Sequence, residues 1–236
     1  MKLSCFIVCI SLLVFFSCKK DAVIPPPDLG YNYYPGTIKS YIIYDVDSIA
    51  YNPVKGDTAK FKFQIKEVMD SLITDNENRP TIKLIRYRKN YSTTTPYSSM
   101  TWTLQSVWVA NKTSRDVEVV EENIRYTKLA FPINLNGTWN GTAHADTTAQ
   151  TYTYTAFDTP FSLNGNSFNK TLTVLQNLDT NALIYQNYYE QYARGVGLIY
   201  KQIVNYTYKQ DAMGVHRGVI AGGIYYVMRI NSYGGQ

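Results

Sequence analysis

Cysteine is missing from almost the whole of this sequence. The three that exist, Cys5, Cys9 and Cys18, fall within the first eighteen residues, so no disulfide can staple the folded part. Histidine is nearly as scarce. A zinc site would have to draw on His144 and His216, the only two, with an acidic residue such as Asp146, which alternates with His144 on one strand face. No G-x-S-x-G elbow marks a serine hydrolase. Gly195-Val196-Gly197 lacks the third glycine of a dinucleotide loop and leads into the strand-like Leu198-Ile199-Tyr200, so it reads as a hairpin turn. The densest acidic cluster, Asp116, Glu118, Glu121 and Glu122, reads as a hairpin tip, not as the carboxylate pair of a glycosidase. These absences exclude no single reaction, but they point to a non-enzymatic protein without a cofactor.

The longest charge-free run is also short. Leu3 to Ser17 is fifteen residues, enough for a secretory signal but below the ~20 that span a bilayer as a helix. Lys2 precedes it, and the small Ser17 stands directly before Cys18. This is a lipoprotein signal, cleaved to leave Cys18 as the lipid-bearing N-terminus. Two or three acyl chains there hold a protein to a membrane where one would not. The chain thus divides into a signal peptide (1–17), a lipidated cysteine with a proline-rich tether containing Pro25-Pro26-Pro27 (18–36), and a single β-rich domain (37–236). Whether the anchored domain faces the periplasm or the cell exterior stays open, as does its oligomeric state.

Removal of residues 1–17 leaves 219 residues with 22 basic and 18 acidic side chains, scattered along the chain. Such a charge supports solubility and does not form a nucleic-acid footprint. Tyrosine is abundant, at 22 against 9 phenylalanines and 3 tryptophans; its apolar body and polar tip suit half-wet sheet faces. Two-residue alternation dominates. Ala59, Phe61, Phe63 and Ile65 point one way, while Lys60, Lys62, Gln64 and Lys66 point the other. Further runs contain Trp102, Leu104, Ser106 and Trp108, then Tyr152 and Tyr154, Leu172 and Val174, and Gly223 to Ile230. Asn136-Gly137 and Asn164-Gly165 between runs supply hairpin turns. The expected fold is all-β, a single antiparallel meander forming a half-barrel or barrel-like sheet. Asn181 to Arg194 is the best helix candidate, its tyrosines recurring at three-to-four spacing, although the same residues also read as a strand.

Three segments carry a resemblance. Tyr192-Ala193-Arg194-Gly195-Val196-Gly197-Leu198-Ile199-Tyr200-Lys201, preceded by Tyr188-Tyr189-Glu190-Gln191, resembles a segment common in uncharacterised outer-membrane lipoproteins of Bacteroidota. Tyr33-Tyr34-Pro35, before a strand ending Val46-Asp47-Ser48-Ile49, is similar to their opening. Phe131-Pro132 followed by Gly137-Thr138-Trp139-Asn140-Gly141 is similar to their middle. The resemblance implies an outer-membrane location and a half-barrel like that of lipoprotein carriers, and it names no substrate. It also implies O-glycosylation, at Asp followed by Ser or Thr, with Ser48, Thr58, Ser71 and Thr147 as acceptors. The function expected is a lipid-anchored binding or carrier module. Phe61, Phe63, Trp102 and Trp108 would line a concave face for a lipid-like or peptide ligand. The alternative is a surface glycan-binding lipoprotein that stacks exposed Tyr and Trp rings on sugars.

Overall fold

The computed structural model describes residues 26–145 and 147–235; the signal peptide, Cys18 and the first part of the tether lie outside them. Twelve strands follow in order: β1 (Ser40–Tyr51), β2 (Thr58–Thr74), β3 (Pro80–Asn90), β4 (Thr103–Lys112), β5 (Asp116–Glu121), β6 (Ile124–Ala130), β7 (Thr138–Asn140), β8 (Thr151–Leu163), β9 (Asn166–Thr180), β10 (Ile184–Ala193), β11 (Gly197–Asp211) and β12 (Gly214–Gly235). The described helical residues form two 3₁₀ turns, Tyr31–Tyr33 and Tyr97–Ser99. Asn181 to Arg194 is therefore no helix: it contains β10. Strand alternation splits its tyrosines, sending Tyr188 and Tyr192 inward with Glu190 and leaving Tyr185 and Tyr189 outside.

All strands form one antiparallel sheet in the order β6-β5-β4-β3-β2-β1-β12-β11-β10-β9-β8-β7. The chain starts mid-sheet, steps out to one edge at β6, crosses to the other edge at β7, and steps back until β12 lies against β1. That crossing dictates curvature. A flat twelve-stranded sheet is about 53 Å across at ~4.8 Å per gap, whereas the segment between Ala130 and Thr138 spans about 28 Å at most. The edges must therefore curl toward each other, and the sheet nearly closes into a barrel.

The remaining gap is bridged by a mixed seam. Thr127 N–H donates to Gly141 O (2.9 Å), Trp139 Nε1 donates to Thr127 O (2.8 Å), and the Tyr154 hydroxyl both accepts from Ala130 N (2.8 Å) and donates to Ala130 O (2.7 Å). Two side chains thus occupy edge groups that a further strand would otherwise pair. Gly141 is obligatory here, since a Cβ would sit 2.3 Å from the Tyr152 ring.

The two ends of the barrel differ. At the end carrying the β10–β11 turn, the N-terminal segment folds over as a plug. Tyr33 and Tyr34 are buried in the main core with Leu84, Val117, Leu129, Tyr154, Leu172 and Tyr192. Gly195 N–H donates to Asn32 O, Ile133 N–H to Leu29 O, and Arg194 pairs with both Asp28 and Asp158. The packed domain thus begins before Thr37, because the tyrosines of the expected tether are core residues. At the opposite end the inner-face residues Ile203, Asn205, Ile224 and Tyr226 remain partly exposed, and Phe61 is 47% exposed.

Candidate functional site

Among the described residues, six charged side chains cluster in the middle of the barrel, while a further one on the inner face, Arg88, lies nearer the open end over Phe63. Strand alternation brings Glu67 inward beside Ile65 and Met69, Arg86 beside Leu84, Glu121 beside Val119, Glu190 beside Tyr192, and Lys201 beside Ile203. Lys128 arrives by another route. Thr127 lies opposite Glu118 and Leu129 opposite Val117, so Lys128 is the extra residue of a β-bulge that turns it inward next to Leu129.

Four of the six satisfy one another. Lys128 Nζ lies 2.7 Å from Glu121 Oε1 and 2.9 Å from Glu190 Oε1, and Lys201 Nζ lies 3.0 Å from Glu121 Oε2 and 3.2 Å from Glu190 Oε1. The Tyr192 hydroxyl donates to Glu190 Oε2 at 2.6 Å. Burial alone would push both carboxyls up. The two ammonium groups reverse this, holding Glu121 at about 2 and Glu190 below its ordinary value. Lys128, which burial would push down, is instead held far above the ordinary lysine value by Glu121 and Glu190. Two positive and two negative charges with direct hydrogen bonds meet the condition for tolerable charge burial.

Glu67 and Arg86 face each other across β2 and β3 and are far less satisfied. Glu67 Oε2 lies 3.3 Å from Arg86 Nε, but the direction is wrong for a hydrogen bond, and that Nε has no partner among the described residues. Arg86 is only 5% exposed. Its guanidinium lies 3.6 Å from the centroid of the Trp108 ring, which fixes its plane. Burial pushes the Glu67 carboxyl up, more than Arg86 lowers it.

Between these charges and the open end lies a cavity of about 230 Å³, lined by Trp108, Leu198, Ile203, Ile224, Tyr226 and Met228 above Glu67, Arg86, Glu121 and Lys201. Its walls are mostly apolar and its floor is charged. Such a space has room for a small amphipathic molecule, or one end of a longer one, with its polar group at the floor.

The four aromatic residues singled out in the sequence do not all meet here. Trp108 lines the cavity. Phe63 is on the inner face, buried beneath the Arg88 guanidinium, and Phe61 follows it toward the open end. Trp102 is elsewhere. Gln105 is a bulge residue between Ser106, opposite Arg86, and Leu104, opposite Tyr87. The bulge reverses the alternation, so Leu104 is exposed and Trp102 packs under Lys89 Nζ, 4.4 Å from the ring. The acidic cluster also divides. Glu121 is inside the barrel, while Glu118 is buried on the outer side with Arg125 Nη1 at 2.7 Å and His144 Nε2 at 3.1 Å. Asp146 lies outside the described residues. Of the proposed glycan acceptors, Ser48 is inside the barrel at 9% exposure, Ser71 is half-buried with its hydroxyl on Asp70, and Thr58 and Thr147 are exposed.

The buried charges escaped the sequence reading, yet a signal was present. Glu67 continues the apolar alternation of Phe61, Phe63 and Ile65, Arg86 continues Ile82 and Leu84, and Glu121 continues Val117 and Val119. A charge in an apolar register marks a barrel interior. The three segments that carry the resemblance also acquire places: the Tyr33-Tyr34 plug, the seam at Trp139 and Gly141, and the β10–β11 hairpin that supplies Glu190, Tyr192 and Lys201.

The outer face of β10, β11, β12 and β1 is tyrosine-rich. Tyr185 and Tyr206 lie opposite each other, and Gly223 leaves a gap across which Tyr51 meets Tyr206 edge-on at 5.4 Å. Tyr189 stacks on Tyr200 at 5.3 Å.

No family profile matches the sequence, and no curated protein is similar to it. Among solved structures, the chain is similar to a provisionally assigned lipoprotein from Parabacteroides distasonis, at 10% identity and TM-score 0.40 over 86% of this chain and 98% of that one. It is also similar to a provisionally assigned exported protein with a YmcC-like fold from Bacteroides fragilis, at 10% identity and TM-score 0.35 over 83% and 97%. A third is a provisionally assigned outer-membrane lipoprotein-sorting protein domain from Vibrio parahaemolyticus, at 10% identity and TM-score 0.23 over 88% and 91%.

Proposed function

We propose that this protein is a non-enzymatic binding or carrier lipoprotein of the cell envelope, tethered through a lipidated Cys18, which takes a small amphipathic ligand into the open half of its barrel. The observation that carries this reading is the cavity above Arg86 and Glu67, walled by Trp108, Leu198, Ile203, Ile224 and Met228. The tether supports it further. The described chain enters at the plugged end, so an anchor at Cys18 leaves the open end directed away from the attachment point. Neither histidine lies in the cavity: His144 is on the outer side with Glu118, and His216 pairs with Asp211.

Titration with the neutral fluorophore N-phenyl-1-naphthylamine tests the reading. Saturable binding, abolished when Ile224→Trp fills the cavity, is the expected result. Unchanged binding in that variant, or none in the parent, would remove the proposal. The tyrosine-rich outer face favours a second reading, glycan binding, since ring faces stack on sugars; a glycan array on which Tyr189→Ala and Tyr206→Ala lose no signal would dismiss it.

A further inference from the structure

The inside of the barrel holds polar atoms that its own residues leave unsatisfied. Arg86 Nε is buried without a hydrogen bond, and so is Ser106 Oγ, which stands directly opposite Arg86 across β3 and β4. A buried charge lacking full hydrogen bonding is unfavourable unless a partner completes it. The neighbouring Lys128 and Lys201 show how completely this interior can satisfy a cation when the need is internal. Arg86 differs in lining the cavity with part of its side chain, while Nε itself is enclosed and unpartnered.

The chemistry that answers such a site is narrow. A guanidinium presents its donors as a planar fork, which a carboxylate meets with two parallel hydrogen bonds. Trp108 already holds the fork in a fixed plane, so little freedom is lost on binding. Beyond the fork the lining turns apolar at Leu198, Ile203, Ile224 and Met228. The volume of about 230 Å³ takes roughly eight water-sized groups at ~30 Å³ each, which suits a short aliphatic chain or the proximal part of a longer one.

Resting on the binding-module reading above, we infer that the ligand is an aliphatic monocarboxylate whose carboxylate lies on Arg86, with the chain running toward the open end. Glu67 does not compete as a full counter-ion, since burial favours its neutral form.

Calorimetric titration of the full-length chain with octanoate, 1-octanol and octylammonium tests this. Octanoate should bind at least about tenfold more tightly than octanol, with octylammonium weakest. Arg86→Met should bring octanoate down to the octanol level while leaving octanol unchanged. The comparison of three ligands on the parent chain stands even where a variant fails to fold. Equal binding of octanoate and octanol, or unchanged octanoate binding to Arg86→Met, overturns the carboxylate assignment and leaves the binding module intact. If none of the three binds the parent chain, the carboxylate assignment falls, and the binding module falls with it where the parent also fails to bind N-phenyl-1-naphthylamine.

Discussion

Six charged side chains cluster in the middle of the barrel's described interior, and they divide four to two. Glu121, Lys128, Glu190 and Lys201 close on one another at 2.7 to 3.2 Å. Glu67 and Arg86 stand beside them with one poorly directed contact and an unbonded Nε. Burial is similar in both groups, so solvent does not explain the difference. A mutually satisfied set can be part of the scaffold, because its desolvation is offset internally. An unsatisfied pair beside a cavity is arranged for something the chain does not itself supply. That contrast separates structure from function more sharply than either group would alone.

Lys128 is where the scaffold should fail most. Lys128→Met leaves two carboxylates facing a single ammonium, and removal of one partner from a buried ion set costs about 3–5 kcal/mol. Urea denaturation should register that loss; a change below about 1 kcal/mol would mean the four charges do not hold the barrel together. The seam comes next. Gly141→Ala drives a Cβ to within 2.3 Å of the Tyr152 ring, an overpacking of about 1–3 kcal/mol. Amide exchange at Thr127, which donates to Gly141 O across the gap, should accelerate in step with the lost stability.

Arg86→Met should cost less than either, within about 1 kcal/mol, since few hydrogen bonds are lost and the Glu67 carboxyl left behind can keep its proton. A loss as large as that of Lys128→Met would erase the distinction between the two groups. The smallest effect is in pH dependence, where the groups have opposite signs. Glu67 is raised above the ordinary value of 4.5, so the folded chain binds more protons there. Its contribution to stability is greatest below that value and falls as pH rises through the folded one. Glu121, held at about 2, contributes stability that is complete above the ordinary value and is lost as pH falls toward 2. Unfolding curves across this range should show Glu67→Gln flattening the decline on the higher-pH side and Glu121→Gln flattening it on the acid side. Matching profiles for the two variants would contradict the contrast.

Much of the fold was legible because strand alternation is a local property. The run from Ala59 to Lys66 and the Asn164-Gly165 turn declared antiparallel hairpins, whereas Asn136-Gly137, expected to be another hairpin turn, lies in the crossing from β6 to β7 between the two sheet edges. Bulges were not legible. Gln105 reverses the alternation between Trp108 and Trp102, and Lys128 is turned inward by one extra residue in β6; neither leaves a mark in composition or spacing. Tyr33 and Tyr34 looked like tether because they follow prolines, yet contacts far along the chain draw them into the core.

By itself, the sequence determined that antiparallel strands would form and where the apolar alternation of runs such as Ala59 to Ile65 would lie. Those properties depend on neighbours in the chain. Only the tertiary structure decided that the sheet's two edges meet across the Thr127 and Gly141 seam, that six charges from six strands share one interior, and that Arg86 is left without a full set of partners. These depend on registers and curvature summed over twelve strands, so residues from Glu67 to Lys201 become neighbours only when the sheet curls.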